Sequence, residues 1–311
     1  MFWDSPSKSS INQKLIISYC LFTPKKLNNE IRFWDPYANE LRYWYNIPAL
    51  VAINQIVYPM GEIWIYLSEE IKDHPLFEIL IRLKESFTSL NLIFLDYPYE
   101  NTEPTLWRYK PVFDCLSDII ICRDLDSLPN EIEIKATNYF IENPQYYIQT
   151  LRTHTNHRFP ITTILAGLSA FRPKQIDQLK EYDFETFYHS NKSDSYGLDQ
   201  GAIIKFFTTD LKWTKKFFLD CVISSPNQKP GKPLIPCVSL KENTYKKKKI
   251  SEGIPQQLVK LLNNTTEWGG EPIDFRGEKL KELLDVDHAM TSKLKDCLAN
   301  CSLKTKIFYQ I

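Results

Sequence analysis

Short apolar runs, each ended by polar or breaker residues, recur along the first two thirds of the chain. Lys14 to Phe22, Glu62 to Leu67, Asn91 to Asp96, Ile119 to Cys122 and Tyr146 to Leu151 are too short for helices and rich in β-branched and aromatic residues, so they read as strands. Between them lie stretches with helical spacing: Pro36 to about Tyr58, with Pro48 placed to kink or split it, Pro75 to Ser86, and Asn130 to Glu142. A short helix is expected over Thr105 to Lys110. Strands alternating with helical patterns predict an α/β fold with a parallel sheet.

Beyond the fifth run the pattern is coarser. Ile161 to Phe171 is apolar with Gly167 inside it, and a glycine there marks close approach of backbone or ligand. Phe184 to His189 and Leu198 to Phe207 read as helices; Trp213 to Cys221 fits either type. From Ser224 the prolines Pro226, Pro230, Pro233 and Pro236 break the chain, followed by the basic run Lys246 to Lys249. The tail carries two amphipathic patterns, near Pro255 to Leu262 and Glu278 to Leu284, joined by a glycine turn at Trp268-Gly269-Gly270. The expected division is a domain over residues 12–223 and a C-terminal extension, 224–311, packed on it.

One run ends in a way that needs a chemical explanation. After Ile119 to Cys122 come Arg123, Asp124, Leu125 and Asp126. Two carboxylates one residue apart at the end of a buried strand must be paired, hydrogen-bonded or metal-bound. A hard divalent cation shared with a substrate phosphate meets that demand, and the carboxyl ends of strands are where ligands sit in open α/β sheets. Ser127 is the expected N-cap of the next helix, with Pro129 in its first turn and Glu131 and Glu133 at its positive end. Against this, Asp-x-Asp is a common tripeptide.

Composition narrows the chemistry. Of 311 residues, 43% are hydrophobic and 24% charged, as in a globular protein, and only 9 are glycine, so no Gly-rich phosphate loop is present. A formal net charge of +0 argues against a duplex nucleic-acid partner. The 7 cysteines include no CxxC pair, which favours a reducing, cytoplasmic setting over a structural zinc site. Met-Phe-Trp-Asp-Ser-Pro at the start does not read as a signal peptide, and no run is long enough to span a membrane. The Lys246 to Lys249 run reads as a solvated face or as a peripheral contact with an anionic membrane or acceptor.

Four features converge on a diphosphate. Tyr19 and Phe22 end the first strand and could flank a base, though both types also serve as plain core residues. Arg123 precedes the two aspartates. Arg152, His154, His157 and Arg158 form a polar, basic cluster after a later strand, equally readable as a solvated loop. Asp199-Gln200 follows the turn glycine Gly197. A divalent cation with several basic groups would neutralise a nucleoside-diphosphate leaving group.

The order of these pieces resembles a family. Tyr19-Cys-Leu-Phe22, Ile56-Val-Tyr-Pro59, Thr105-Leu-Trp-Arg108 and Ile121-Cys-Arg-Asp-Leu-Asp-Ser127 are followed by Arg152-Thr-His-Thr-Asn-His157, Ile164-Leu-Ala-Gly-Leu168 and Tyr196-Gly-Leu-Asp-Gln200. Over about residues 14–210 this is similar to GT-A fold nucleotide-sugar glycosyltransferases, especially small transferase domains of large DNA viruses and bacteria, with glycogenin-like features, which implies a Rossmann-like, mixed but mainly parallel sheet flanked by helices, with a C-terminal helical extension. The resemblance implies a Mn²⁺- or Mg²⁺-dependent enzyme with a nucleotide-sugar donor, of UDP type, and a glycan or protein acceptor. Asp124 and Asp126 would then be the DxD pair, with Asp126 the main metal ligand and Asp124 on metal or ribose. Arg108 and Arg123 would hold the nucleotide, Gly167 would admit the donor sugar, and Asp199, Gln200 and His154 would face the sugar, the acceptor or the diphosphate. Thr153 replaces an expected aspartate, Ala166 a glycine, and the C-terminal His-x-x-Gly-x-x-Lys-Pro-Trp element is absent. That leaves the third metal ligand open among Asp274, Asp285, Asp287 and His288. A lid over the diphosphate through Trp268 to Gly270 is a further expectation.

Three rivals share parts of this pattern. A haloacid-dehalogenase-type phosphatase would use Asp124 as nucleophile and Asp126 as general acid, but three strands precede the motif and Gly197-Leu-Asp-Gln200 lacks a second acid pair. A nucleotidyltransferase would need a Gly-rich N-terminal loop. A non-catalytic glycan-binding or scaffold protein would have no need of both aspartates.

Overall fold

Period-two alternation along the strands sets the architecture. The computed structural model describes residues 13–23, 41–99, 102–152, 164–191, 197–207, 218–222, 238–241, 253–265 and 272–311. Its first half runs β1 (Leu15–Leu21), α1 (Ile47–Val57), β2 (Gly61–Ser68), α2 (Phe77–Ser86), β3 (Leu90–Leu95), a 3-10 segment (Glu103–Tyr109), α3 (Lys110–Phe113), β4 (Ile119–Arg123) and α4 (Glu131–Glu142). The rest runs β5 (Ile148–Arg152), β6 (Leu168–Phe171), α5 (Phe184–Ser190), α6 (Leu198–Lys205), β7 (Phe218–Val222), β8 (Val238–Lys241), α7 (Gln256–Thr265), α8 (Glu278–Leu284), α9 (Ala289–Ala299) and α10 (Leu303–Tyr309).

The eight strands form one sheet in the order β3-β2-β1-β4-β6-β5-β7-β8. Every neighbouring pair is parallel except those made by β6, which runs antiparallel to both β4 and β5. The mixed, mainly parallel α/β class expected from the sequence is therefore observed. The long apolar run before Phe171 is strand only from Leu168 onward, so Gly167 precedes the strand instead of lying within it.

Side chains that alternate along β1 and β4 feed two separate cores. Leu15, Ile17, Tyr19 and Leu21, with Ile119 and Ile121, face the layer formed by α1, α2, α4 and the tail helices. Ile16 and Cys20, with Ile120 and Cys122, face the aromatic layer of Trp107, Tyr109, Phe113, Phe184 and Phe187. Arg123 falls in step with the first set and Asp124 with the second.

Local signals explain most boundaries and correct one. Pro48 splits the expected stretch, standing in the first turn of α1 after a separate 3-10 turn at 41–43, because its missing N–H costs nothing there. Asn130, not Ser127, caps α4: its side chain accepts from the Glu133 N–H at 2.9 Å. Two helices, α9 and α10, lie beyond the two tail patterns noted above.

The tail enters the first core through Phe275, Leu280, Leu283, Leu294, Leu298 and Tyr309, and Tyr309 donates to the Trp44 carbonyl at 2.8 Å. It is also tied to α2. Glu78 accepts from the Ser302 N–H and the Thr305 hydroxyl, both at 2.9 Å, at the start of α10. The bonds from Ser302 hold the Glu78 carboxyl below its ordinary range, against a smaller opposing effect of burial. A depressed carboxylate pKa stabilises above the unfolded-state value, near 4.3 for Glu, and that contribution is lost as pH falls through the folded-state value. Glu78→Ala is therefore expected to lower the melting temperature at pH 7, with the gap to the parent closing in acid. A gap that persisted at pH 3 would show that the carboxylate charge is not its source.

Candidate active site

The carboxyl ends of β1 and β4 open onto a cluster of three aspartates and two arginines. Asp124 leaves β4 on the aromatic side of the sheet and pairs with the Arg108 guanidinium. Arg108 also reaches Asp199, at the start of α6, at 3.3 Å. Its side chain is only 4% exposed, against 37% for Asp124 and 13% for Asp199. The 3-10 segment that carries Arg108 is held against the strands, since Ser18 donates to the Arg108 carbonyl at 2.7 Å and the Cys122 thiol to the same oxygen at 3.4 Å. Burial opposes the Arg108 charge, but Asp124, with Asp199 beside it, keeps it protonated well above the ordinary range. Burial pushes the Asp199 carboxyl upward; Arg108 opposes this and Asp124 adds to it.

Asp126 points elsewhere and is almost fully buried. Its carboxylate accepts from Arg42, which stands on a 3-10 turn over residues 41–43 just before α1. Burial raises the Asp126 pKa, Arg42 opposes the rise, and the neighbouring Asp124 charge reinforces it. Asn46 binds this wall to the loop after β4 and to the tail, donating to the Leu125 carbonyl at 3.4 Å and accepting from the Phe275 N–H at 3.1 Å. The tail adds one more link, as the Ile273 N–H donates to the Asp126 carbonyl at 2.9 Å.

Gly167 completes the cluster. A Cβ built on it would fall inside the Asp124 carboxylate, so the backbone of residue 167 lies directly against that side chain. The approach is set by the preceding segment. The Gln200 amide accepts from the Ala166 N–H at 3.0 Å and donates to the Ile164 carbonyl, while Tyr109 donates to the Ala166 carbonyl at 3.0 Å and Thr150 accepts from the Leu165 N–H at 3.0 Å. Gln200 is thus a positioning residue, with both ends of its amide engaged by backbone.

The sequence-derived set divides accordingly. Arg108, Asp124, Gly167, Asp199 and Gln200 come together on one side of the sheet, and Asp126 joins them across the turn after β4. Arg123 does not: it lies on the opposite face in a buried pair with Glu133, also donating to Ser127 at 3.3 Å. Tyr19 is likewise in the first core, with its hydroxyl accepting from Asn54 at 2.8 Å and its pKa pushed up by burial to about 12. Strand alternation is the physical reason in both cases, since Tyr19 and Arg123 have the parity of the back face. Phe22 has the front-face parity and meets Tyr99 edge-on at 6.1 Å.

His154, with Thr153, His157 and Arg158, lies outside the described residues, as do Tyr196, Lys246 to Lys249 and Trp268 to Gly270. Of the expected further metal ligands, Asp274 is engaged by Arg276 at 2.7 Å, and the His288 ring caps α9 through the Met290 N–H at 3.1 Å. Sequence reasoning missed Arg42 and Asn46. The demand for a cation at Asp126 was legible, but nothing in the spacing pointed to residue 42.

No protein-family model matches the sequence, and no curated protein sequence matches it. Among solved structures, the chain is similar to the apo form of the WbbM bifunctional glycosyltransferase, with a TM-score of 0.46 and 14% identity, over 97% of this chain and 52% of that one. It is also similar to the mannosyltransferase PcManGT from Pyrobaculum calidifontis in complex with GDP-Man and Mn²⁺, with a TM-score of 0.42 and 10% identity, over 99% and 81% of the two chains. The chain spans about half the length of WbbM. Likenesses this distant speak to the course of the backbone and to nothing in the site. No helix among the described residues is long and apolar enough to cross a membrane.

Proposed function

We propose that the protein is a metal-dependent glycosyltransferase that moves a sugar from a nucleotide-sugar donor, of UDP type, to a hydroxyl of a glycan or protein. The observation that supports this best is Asp124, held by buried Arg108 at the end of the central strand with the bare backbone of Gly167 against it. A carboxylate fixed in this way at a strand's carboxyl end, beside a second carboxylate and two guanidiniums, suits a bridged diphosphate.

The donor set fits a hard divalent cation. Asp124 and Asp126 would supply oxygen ligands, and glycine at 167 lets the backbone lie against the Asp124 carboxylate where a Cβ would collide with it. Among the described residues, no group of three or more His, Cys, Asp or Glu side chains could hold a metal. Two carboxylates completed by substrate phosphate oxygens are the usual Mg²⁺ arrangement, and Mn²⁺ accepts the same hard donors. When bound, the cation would act as a Lewis acid on the leaving diphosphate.

The chain's own groups take the remaining tasks. Arg108 would donate to the diphosphate or hold Asp124 toward the metal. Gln200 keeps residues 164–167 in place, so that the Gly167 backbone stays against the Asp124 carboxylate. In the transfer, the bond from the anomeric carbon to the phosphate oxygen breaks with its electron pair leaving on the diphosphate. A new bond forms to the acceptor oxygen, and the acceptor's proton moves to a carboxylate. Asp199, held by Arg108 at 3.3 Å on the same side of the sheet as Asp124, would take that role. His154 is assigned to the acceptor side by resemblance.

The test is a thermal-shift panel of UDP, GDP, CDP, TDP and ADP, each with Mn²⁺, Mg²⁺ or EDTA. A native-state ligand at a hundred times its Kd stabilises by about 2.7 kcal/mol. A shift with one nucleoside diphosphate that disappears in EDTA is the expected result and identifies the base. A shift only with vanadate or beryllofluoride plus Mg²⁺ would replace this reading with a phosphatase. No shift with any of them would favour a non-catalytic protein.

A further inference from the structure

Asp126 already has a cation. Its buried carboxylate is paired with Arg42, whose side chain is 26% exposed and comes from a segment outside the β1 and β4 ends that form the rest of the cluster. Among the described residues the Arg42 Nε is buried with no hydrogen-bond partner, so the guanidinium is only partly satisfied by them. The turn that carries it is anchored firmly. Trp44 stacks on His74 with ring centres 4.2 Å apart, Tyr45 lies under Arg276 at 3.7 Å, and Asn46 is bonded on both sides. The backbone at 44–46 is fixed while the long Arg42 side chain keeps rotatable bonds.

From this arrangement we infer that Arg42 is the resident counter-cation of Asp126, competes with a divalent cation for that carboxylate, and makes tight metal binding conditional on the nucleoside diphosphate. The inference rests on the metal-dependent reading above. Its reason is charge. The carboxylates of Asp124, Asp126 and Asp199 carry three negative charges when ionised, and Arg42 and Arg108 return two positive ones. A divalent cation entering the free site turns a net negative cluster positive and meets Arg42 at close range, where like charges repel strongly in a partly buried setting. A diphosphate removes that conflict. It supplies negative charge for both cations and accepts hydrogen bonds from the Arg42 fork, including the unpartnered Nε. Metal and nucleotide therefore strengthen each other's binding, and the coupling is carried by Arg42.

The experiment measures Mn²⁺ affinity by titration calorimetry or by the paramagnetic resonance of free Mn²⁺, on the full chain, alone and with saturating UDP or whichever nucleoside diphosphate stabilises it. Arg42→Gln is expected to tighten binding of Mn²⁺ alone by about tenfold, within the usual 5–150-fold range of such couplings. It is also expected to shrink the gain in Mn²⁺ affinity that the nucleotide confers. Arg42→Lys keeps the charge and falls nearer the parent; it carries the test should the glutamine variant not fold. Unchanged or weaker Mn²⁺ binding in Arg42→Gln overturns the inference while leaving the donor site intact, as long as the nucleotide still binds. Absence of nucleotide binding in the parent overturns the glycosyltransferase reading itself.

Discussion

Arg108→Met is expected to destabilise the protein by about 3 kcal/mol, because it strands two carboxylates that share one buried guanidinium. The figure is at the low end for a broken buried pair, since Asp124 keeps about a third of its side chain in water. Asp199 bears most of the loss. It is nearly buried, its pKa is already raised by burial, and Arg108 is the charge that holds the rise in check. The check is chemical denaturation at pH 7, with Asp199→Asn added to the same chain. If the unpaired Asp199 charge is the source, the double variant recovers part of the loss. If both variants unfold at the same denaturant concentration, lost packing of the arginine is the cause. Donor binding is expected to vanish in either variant, because Asp124 loses the group that holds it in place.

Gly167→Ala is the second large effect, of a different kind. One methyl group must occupy space now filled by the Asp124 carboxylate, so Asp124 has to rotate away or the 164–167 segment has to back off. The segment is pinned by Gln200, Tyr109 and Thr150, which makes Asp124 the part that moves. Displacing a positioned group by about 1 Å can cost about a hundredfold in rate. A loss of that order in kcat/KM for the donor, with a small change in melting temperature, is the expected result. Gly201→Ala is the control. It lies in α6 with nothing near its missing Cβ, and alanine there should leave activity alone and stabilise the helix by about 0.5–1 kcal/mol. Equal activity losses in the two variants would mean that residue 167 plays no special part.

Both effects depend on a placement only partly legible in the sequence. Short apolar runs alternating with helical patterns were enough for the α/β class, because hydrophobic periodicity is a local property of the chain. The same local information located Asp124 and Asp126: a buried strand that stops on two acids is anomalous wherever it lies. Gly167 and Asp199-Gln200 stood out as a glycine in an apolar run and an acid at a helix start. Tyr19 and Arg123 were assigned to the nucleotide although their parity along β1 and β4 places them on the other face. That parity was available, but the run's apolar character on both faces hid which side was which.

Other features had no local signature at all. The antiparallel insertion of β6 between β4 and β5, which brings Gly167 against Asp124, is a matter of strand order, and strand order is set by competition among packings of the whole chain. The same holds for the pairing of Arg42 with Asp126, 84 residues away, and of Asn46 with Phe275, 229 residues away. By itself the sequence determined the alternation of strands and helices through the first half and the demand for a cation beside the aspartates, because periodicity and the cost of buried charge act residue by residue. Only the tertiary structure decided which cation meets each carboxylate, since a charge is satisfied by whatever the fold brings within reach, however far along the chain it lies.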